Sequence, residues 1–350
     1  MKAACALDPF CLNSFLSFRY VVSDTAEWVP GVCPKWPRID PSERFKVEDA
    51  GQLLEALRYL IGQALNQGHV GLLLGGGIDS AILAALLPRG TPVYTVRFEA
   101  DELVDESQAA SMYARQCGLR HRVVTVTWDD YAERVDWLMQ HKQSPLHPVE
   151  VALALASCVA SADGVQTLLV GNGADSTFGG LDRLLSRDWT LEEFIKRYTF
   201  LDPAAVLRDP VSTRFVFEEY GKQKIFDVGG FLKEVHGRGI IQAFDNAITA
   251  GGCASVSPYE SLVLAVPLDL ARIRHGEPKY LLREIFSQFY PNLPLSKKIS
   301  FARPMDCWMK PWTGPQRAEF KPGLDVHYLS GEQKWLLYSL ERFLNYIEND

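Results

Sequence analysis

Two segments of this chain repeat one plan: an apolar run, a glycine-rich turn and an acid just beyond it. They read VGLLLGGGIDSAILAALL at 70–87 and LLVGNGADSTFGG at 168–180. In the first, three glycines let the backbone approach a ligand closely, and the helix expected to follow offers unpaired N–H groups and a positive dipole end. Such a turn receives anions. The P-loop pattern G-x-x-x-x-G-K-[ST] is not present, and Ser80 stands where a dinucleotide fingerprint wants its third glycine. A carboxylate beside bound phosphate is repelled unless a cation lies between them, so Asp79 points to Mg²⁺. Taken alone, this segment reads equally well as a tight turn with Asp79 and Ser80 capping a helix. The second segment breaks the tie. In a parallel sheet both strand ends open into one crevice, where Asp79 and Asp175 reach the same metal ions.

The residues around these segments predict such a sheet. Leu53, Leu54, Leu57, Leu60, Ile61 and Leu65 recur at helical spacing, with Gly68 as a stop. Strands are expected over 70–74, 92–98, 122–127 and 167–170, and helices over 81–87, 106–117 and 149–160. That alternation gives right-handed βαβ units and an α/β fold with a doubly wound parallel sheet. Upstream, FLSFRYVV at 15–22 reads as a short strand, and Pro30, Pro34, Pro37 and Pro41 punctuate a wrapped, extended stretch. Past residue 181 the apolar segments lengthen, with helices expected over 231–250, 280–290 and 334–347. The organisation expected is an extended N-terminal segment over 1–48 packing on a domain over 49–350. Within that domain an α/β core runs to about 181 and a helical cap follows over 182–350.

Charge and cysteine usage narrow the partners. With 36 Lys+Arg against 43 Asp+Glu, the net charge is −7, which leaves no basic excess to neutralise a nucleic-acid backbone. The seven cysteines are scattered, odd in number and form no C-x-x-C pair, so they read as reduced thiols. MKAACALDPF lacks the apolar run of a signal peptide, and no segment is long enough in apolar residues to span a membrane. A cytoplasmic protein is the expectation.

The two glycine-rich segments resemble the synthetase domain of asparagine synthetase and its relative β-lactam synthetase. That family carries S-G-G-x-D-S and G-E-G-[AS]-D-E-x-F-G-G, where this chain has GGGIDS (75–80) and GNGADSTFGG (171–180). The likeness extends to residues 15–22 and the proline-rich stretch after them, and to YTVRFEADELVDESQAASMYARQCGLRHRVV (94–124). CASVSPYE (253–260) and PKYLLREIF…LPLSKKISFARP (278–304) follow in the family's order, so most of 15–312 is covered. The resemblance implies a five-stranded sheet of the adenine nucleotide α-hydrolase type and an ATP-dependent ligase releasing AMP and pyrophosphate. A substrate carboxylate would be adenylated and its acyl group passed to ammonia or an amine.

Residue by residue, the resemblance places pyrophosphate and ATP against Gly75, Gly76, Gly77, Ser80, Gly171, Gly173 and Lys279, with Val96 and Phe98 near the adenosine. Asp79 and Asp175 would hold Mg²⁺, and Lys298 would face the α-phosphate. Outside this context Lys297 and Lys298 read as a solvated pair. Asp182, Arg183, His121 and His147 belong to no motif and are expected at surface or packed positions, and Trp308 and Trp312 are expected to be packing residues.

Three departures shape the expectation. Lys2 replaces the nucleophilic cysteine of the family's glutaminase half, so the amine is expected to come from free ammonia, a substrate amine or a separate ammonia-supplying or carrier protein. Asn172 replaces the glutamate of G-E-G; a carboxamide positions but cannot take a proton, which leaves Glu260 as the base and Tyr259 as a weaker candidate. Gly75 removes the leading serine's hydroxyl from the phosphate site, leaving its backbone N–H to donate. Asn172 tilts the reading toward β-lactam-synthetase-like ligation or cyclisation of a specialised metabolite. Gly75, Asn172 and Ser176 (a glutamate in the family) also fit an inactive nucleotide-binding subunit, and a homodimer is compatible with the sequence. No nucleic acid or membrane is expected among the partners.

Overall fold

The computed structural model describes residues 7–37, 44–100, 105–293 and 303–349. Among the described residues the first element is α1 (Pro9–Phe18), a helix where a strand is expected over 15–22. Asp8 caps this helix by accepting from the Phe10 N–H at 2.8 Å, and Pro9 occupies its first turn. A short apolar run does not distinguish strand from helix by itself. Cys11, Leu12, Phe15, Leu16 and Phe18 are all buried, so this part of the N-terminal segment is core rather than extended wrapping.

After β1 (Phe45–Val47) and α2 (Ala50–Gln67), the βα units follow in order. They are β2 (Val70–Leu73), α3 (Ile78–Ala85), β3 (Pro92–Phe98), α4 (Ser107–Cys117) and β4 (Arg120–Val126). The helix α5 (Trp128–Lys142) is set by a capping box between Thr127 and Asp130. Then come α6 (Glu150–Ala162) and β5 (Thr167–Leu169). Five parallel strands stand in the order β4-β3-β2-β5-β6, with β6 at Ala254–Val256; β1 pairs separately with β7 (Leu262–Leu264). The fold is α/β with a doubly wound parallel sheet, and the fifth strand comes from CASVSPYE, which looked only like a turn.

Separate apolar cores cover the two faces of the sheet. One gathers α2, α3 and α4; the other gathers α1, α5, α6 and the C-terminal helix Gly331–Asn349. The chain runs from β2 outward to β4 and returns to place β5 on the other side of β2. Strand order therefore reverses between β2 and β5, the place where open α/β sheets bind ligands. Past 181 the structure is mainly short helices. The helix expected over 231–250 is interrupted: Val228–Phe231 and Gly237–Ala250 are α-helical, and a π-turn (Leu232–His236) joins them. Among the described residues no helix is long and apolar enough to cross a membrane.

Candidate functional site

Both glycine turns leave the carboxyl ends of β2 and β5 and line one cleft of about 440 Å³. In the first, Gly77 caps α3 without any side-chain bond, so the first-turn N–H groups are not met by a cap. The Ser80 hydroxyl closes the turn from within by accepting from the Gly75 N–H at 3.1 Å. Gly75 thus has its N–H engaged inside the turn, contrary to the expectation that it would be available. Gly76 donates to Glu106 Oε2 at 3.2 Å, so the turn already receives a carboxylate oxygen. Burial raises the Glu106 pKa, which the Gly76 bond partly opposes. Its position over the turn had no sequence signal, because it depends on how α4 packs.

Asp79 and Asp175 meet. The Lys279 ammonium bonds Asp79 Oδ2 and lies 2.8 Å from Asp175 Oδ1. Lys279 itself is 7% exposed and sits in left-handed backbone at φ 55°, an unusual conformation for a side chain other than glycine. Burial works against its charge, but the two carboxylates prevail and hold its pKa above the usual value. Gly180 makes this approach feasible: a Cβ there would overlap the Asp175 carboxylate and the Lys279 side chain. Gly180→Ala is therefore expected to part Asp175 from Lys279 and to destabilise the fold by about 1–3 kcal/mol, read from the melting midpoint.

The donor set fits a divalent cation. Two carboxylates already converge on one positive charge, and Mg²⁺ is commonly held by one or two carboxylates together with phosphate oxygens. Among the described residues no group of three or more His, Cys, Asp or Glu side chains forms a metal cage by itself.

On the second turn, Gly173 adopts φ 85°, and a Cβ there would come within 2.7 Å of Glu260 Cγ. This close approach lets Asn172 Nδ2 donate to Glu260 Oε1 at 2.8 Å, while Ser257 Oγ donates to the Asn172 carbonyl at 2.5 Å. The Glu260 carboxyl is pushed up to about 8, chiefly by burial and then by the charge of Asp245, with Arg44, Asn172 and Ser257 opposing. Tyr259 does something else: its buried hydroxyl donates to the Asp79 backbone carbonyl at 2.9 Å, and burial raises its pKa well beyond use as a base.

The remaining expected residues separate. Val96 and Gly171 line the cleft; Phe98 instead packs edge-on against Trp308, with ring centroids 5.8 Å apart. Trp308 also meets Trp128 and Tyr131, and Trp312 meets Tyr338, as packing residues do. His121 bonds Thr95 Oγ1 at 2.8 Å. Lys297 and Lys298 lie outside the described residues. His147 is buried as expected of a packed position, yet it also lines the cleft, together with Arg19, His236 and Arg303.

The sequence model of the asparagine synthase family matches residues 53–227, half of the chain. "Amidase chyE" of Penicillium rubens is 30% identical over 150 residues, which cover 37% of this chain and 22% of that protein. A putative glutamine-hydrolysing asparagine synthetase of Mycobacterium tuberculosis is 33% identical over 115 residues, covering 32% of this chain and 17% of the relative. The matched part of this chain thus spans about a fifth of these relatives. The solved NMN synthetase of Francisella tularensis overlaps 73% of this chain and all of its own at 13% identity, with a TM-score of 0.30.

Proposed function

This chain belongs to the asparagine synthase family, and on that premise we propose that it is an ATP-dependent, amide-forming ligase that adenylates a carboxylic acid. The observation that carries the reading is the convergence of Asp79 and Asp175 on Lys279 where strand order reverses. In the proposed first step a substrate carboxylate oxygen bonds to the α-phosphorus of ATP, the bond from that phosphorus to the bridging oxygen breaks, and pyrophosphate leaves. In the second, an amine or ammonia bonds to the acyl carbon, AMP departs with its oxygen, and the nitrogen gives up a proton.

The chain's own groups suit these demands. The uncapped N–H groups at the start of α3 would face the pyrophosphate, and Lys279 would add a positive charge to the same place. Asp79 and Asp175 would hold Mg²⁺, which when bound neutralises phosphate charge. Val96 lines the cleft and, by resemblance, would lie near the adenosine. Glu260 receives the amine's proton when ionised, and Asn172 orients it. Lys298 is assigned to the α-phosphate by resemblance alone. A base retained beside Asn172 favours an active ligase over an inactive subunit.

The test is a screen of carboxylic acids for ATP–pyrophosphate exchange, with nucleotide products separated afterwards. Acid-dependent exchange and AMP are expected; ADP as the product would overturn the reading.

A further inference from the structure

A second cavity, of about 450 Å³ and so as roomy as the cleft just described, takes part in no step above. Three stretches of chain wall it: the short helix Ala174–Thr177 with residues up to 188, the segment 225–233, and β7 with residues up to 274. Leu185 and Phe226 are its most buried members, and Val228, Val263, Leu264 and Leu268 extend the apolar lining. Ile225 and Val266 line it as well, yet they are 51% and 44% exposed. Branched apolar side chains left that open gain when an occupant covers them. A concavity of this size suits a small molecule rather than the flat face of a protein.

The charged groups of the cavity are already engaged. Arg274 pairs with Asp188 at 2.6 Å, and Lys233 lies 3.4 Å from Glu234. Arg187 pairs with Glu193 at 2.9 Å and stacks on the Trp189 ring, 3.9 Å from its centre. Asp227 accepts the Gly230 N–H at 2.9 Å. A bound ion would compete with these pairings, whereas an uncharged apolar group would leave them intact. The occupant is therefore apolar over the part it buries.

Two features tie the cavity to the chemistry of the cleft. Ser176 follows Asp175 directly and lines both spaces. Its short side chain, which donates to the Gly173 carbonyl at 3.1 Å, stands where the resembled motif has glutamate, so the partition lacks that residue's bulk. On the far side, β7 follows immediately on the turn Pro258–Ser261 that carries Glu260, and the helix Ala174–Thr177 packs on both. The cavity thus adjoins the base assigned to the amine. A substrate carboxylate would meet like charge at this junction, where Asp175 and Glu260 stand; a nitrogen would not.

We propose that this cavity holds the body of the amine co-substrate, and that the co-substrate is a primary amine on an uncharged aliphatic or aromatic group in preference to ammonia. The proposal rests on the ligase reading and names the class of its acceptor.

Ethylamine, butylamine and hexylamine are titrated into the whole chain by calorimetry, with hexanoate and ATP alongside. Affinity for the amines should rise about fourfold with each added CH₂. Hexanoate should bind about tenfold more weakly than hexylamine, and ATP should not displace the amine. Val266→Trp, which fills the mouth from an exposed position, should weaken hexylamine about tenfold while ATP affinity stays within about twofold. Ile225→Ser should weaken hexylamine about fivefold and carries the test if the tryptophan variant fails to fold. With an acid that supports ATP–pyrophosphate exchange, kcat/KM for the amines should follow the same series, and Val266→Trp should raise KM for hexylamine about tenfold but not KM for ammonia. Affinity independent of chain length would overturn the proposal, as would displacement of hexylamine by ATP. Hexanoate bound as tightly as hexylamine, and weakened equally by Val266→Trp, would also overturn it and assign the cavity to the acid. Exchange absent with every acid would overturn the ligase reading alone, because the titrations still decide whether the cavity takes apolar amines.

Discussion

Replacing Asp79 or Asp175 by asparagine is expected to reduce acid-dependent ATP–pyrophosphate exchange by about a thousandfold or more. The size follows from where the two side chains meet. Each carboxylate reaches the Lys279 nitrogen, so both present negative charge to one point above the ends of β2 and β5. Asparagine keeps the volume and one acceptor oxygen, and Lys279 retains the other carboxylate, so the fold should survive. Alanine is the poorer choice, because stripping a partner from a nearly buried ammonium is itself destabilising. Thermal melting of both variants checks the fold, and exchange checks the chemistry. Exchange in Asp79→Asn within tenfold of the unaltered protein would remove Asp79 from the phosphate site. Similar effects for the two variants are expected, because their carboxylates serve the same charge.

The parts of this site that were legible in the sequence are those fixed by backbone chemistry. A glycine turn between an apolar strand and a helix has few conformations, and an acid placed just after it must lie at the strand end. Two such turns in a run of alternating strands and helices therefore located Asp79 and Asp175 in one crevice. Side chains that arrive by packing left no comparable trace. Glu106 reaches Gly76 across the interval between β3 and α4, and Arg19 depends on α1 being a helix that ends in left-handed backbone. The apolar run at 15–22 fits a strand as readily as a buried helix, and Asp8 and Pro9 lie before it. His147 reads as an isolated histidine until the Lys142–Glu150 pair fixes its loop. The fifth strand has no apolar run to mark it: Ala254–Val256 reads Ala-Ser-Val, whereas the equally short β5 overlaps the apolar run at 168–170.

Glu260 should give the pH dependence of the amide-forming step. Its carboxyl is pushed up from the ordinary carboxylate range to about 8, so below that pH it is mostly protonated and cannot accept a proton from the amine. The rate of acyl transfer is therefore expected to rise about tenfold per pH unit up to that point and to level off above it. The amine's own ionisation would give a rise of the same sign. Hydroxylamine, already neutral across this range, separates the two. Glu260→Gln keeps the partner for Asn172 but cannot take the proton, and it should lower the plateau by about 10²–10⁴-fold and abolish the inflection. Asp245 provides an internal control, since its charge is the second cause of the upward shift. Asp245→Asn should move the inflection to lower pH while leaving the plateau nearly unchanged. An inflection near pH 8 that persisted in Glu260→Gln with hydroxylamine would show that another group takes the proton. With Tyr259 bonded to the Asp79 carbonyl and buried, Glu106 and His236, which line the same cleft, would be the next groups to replace.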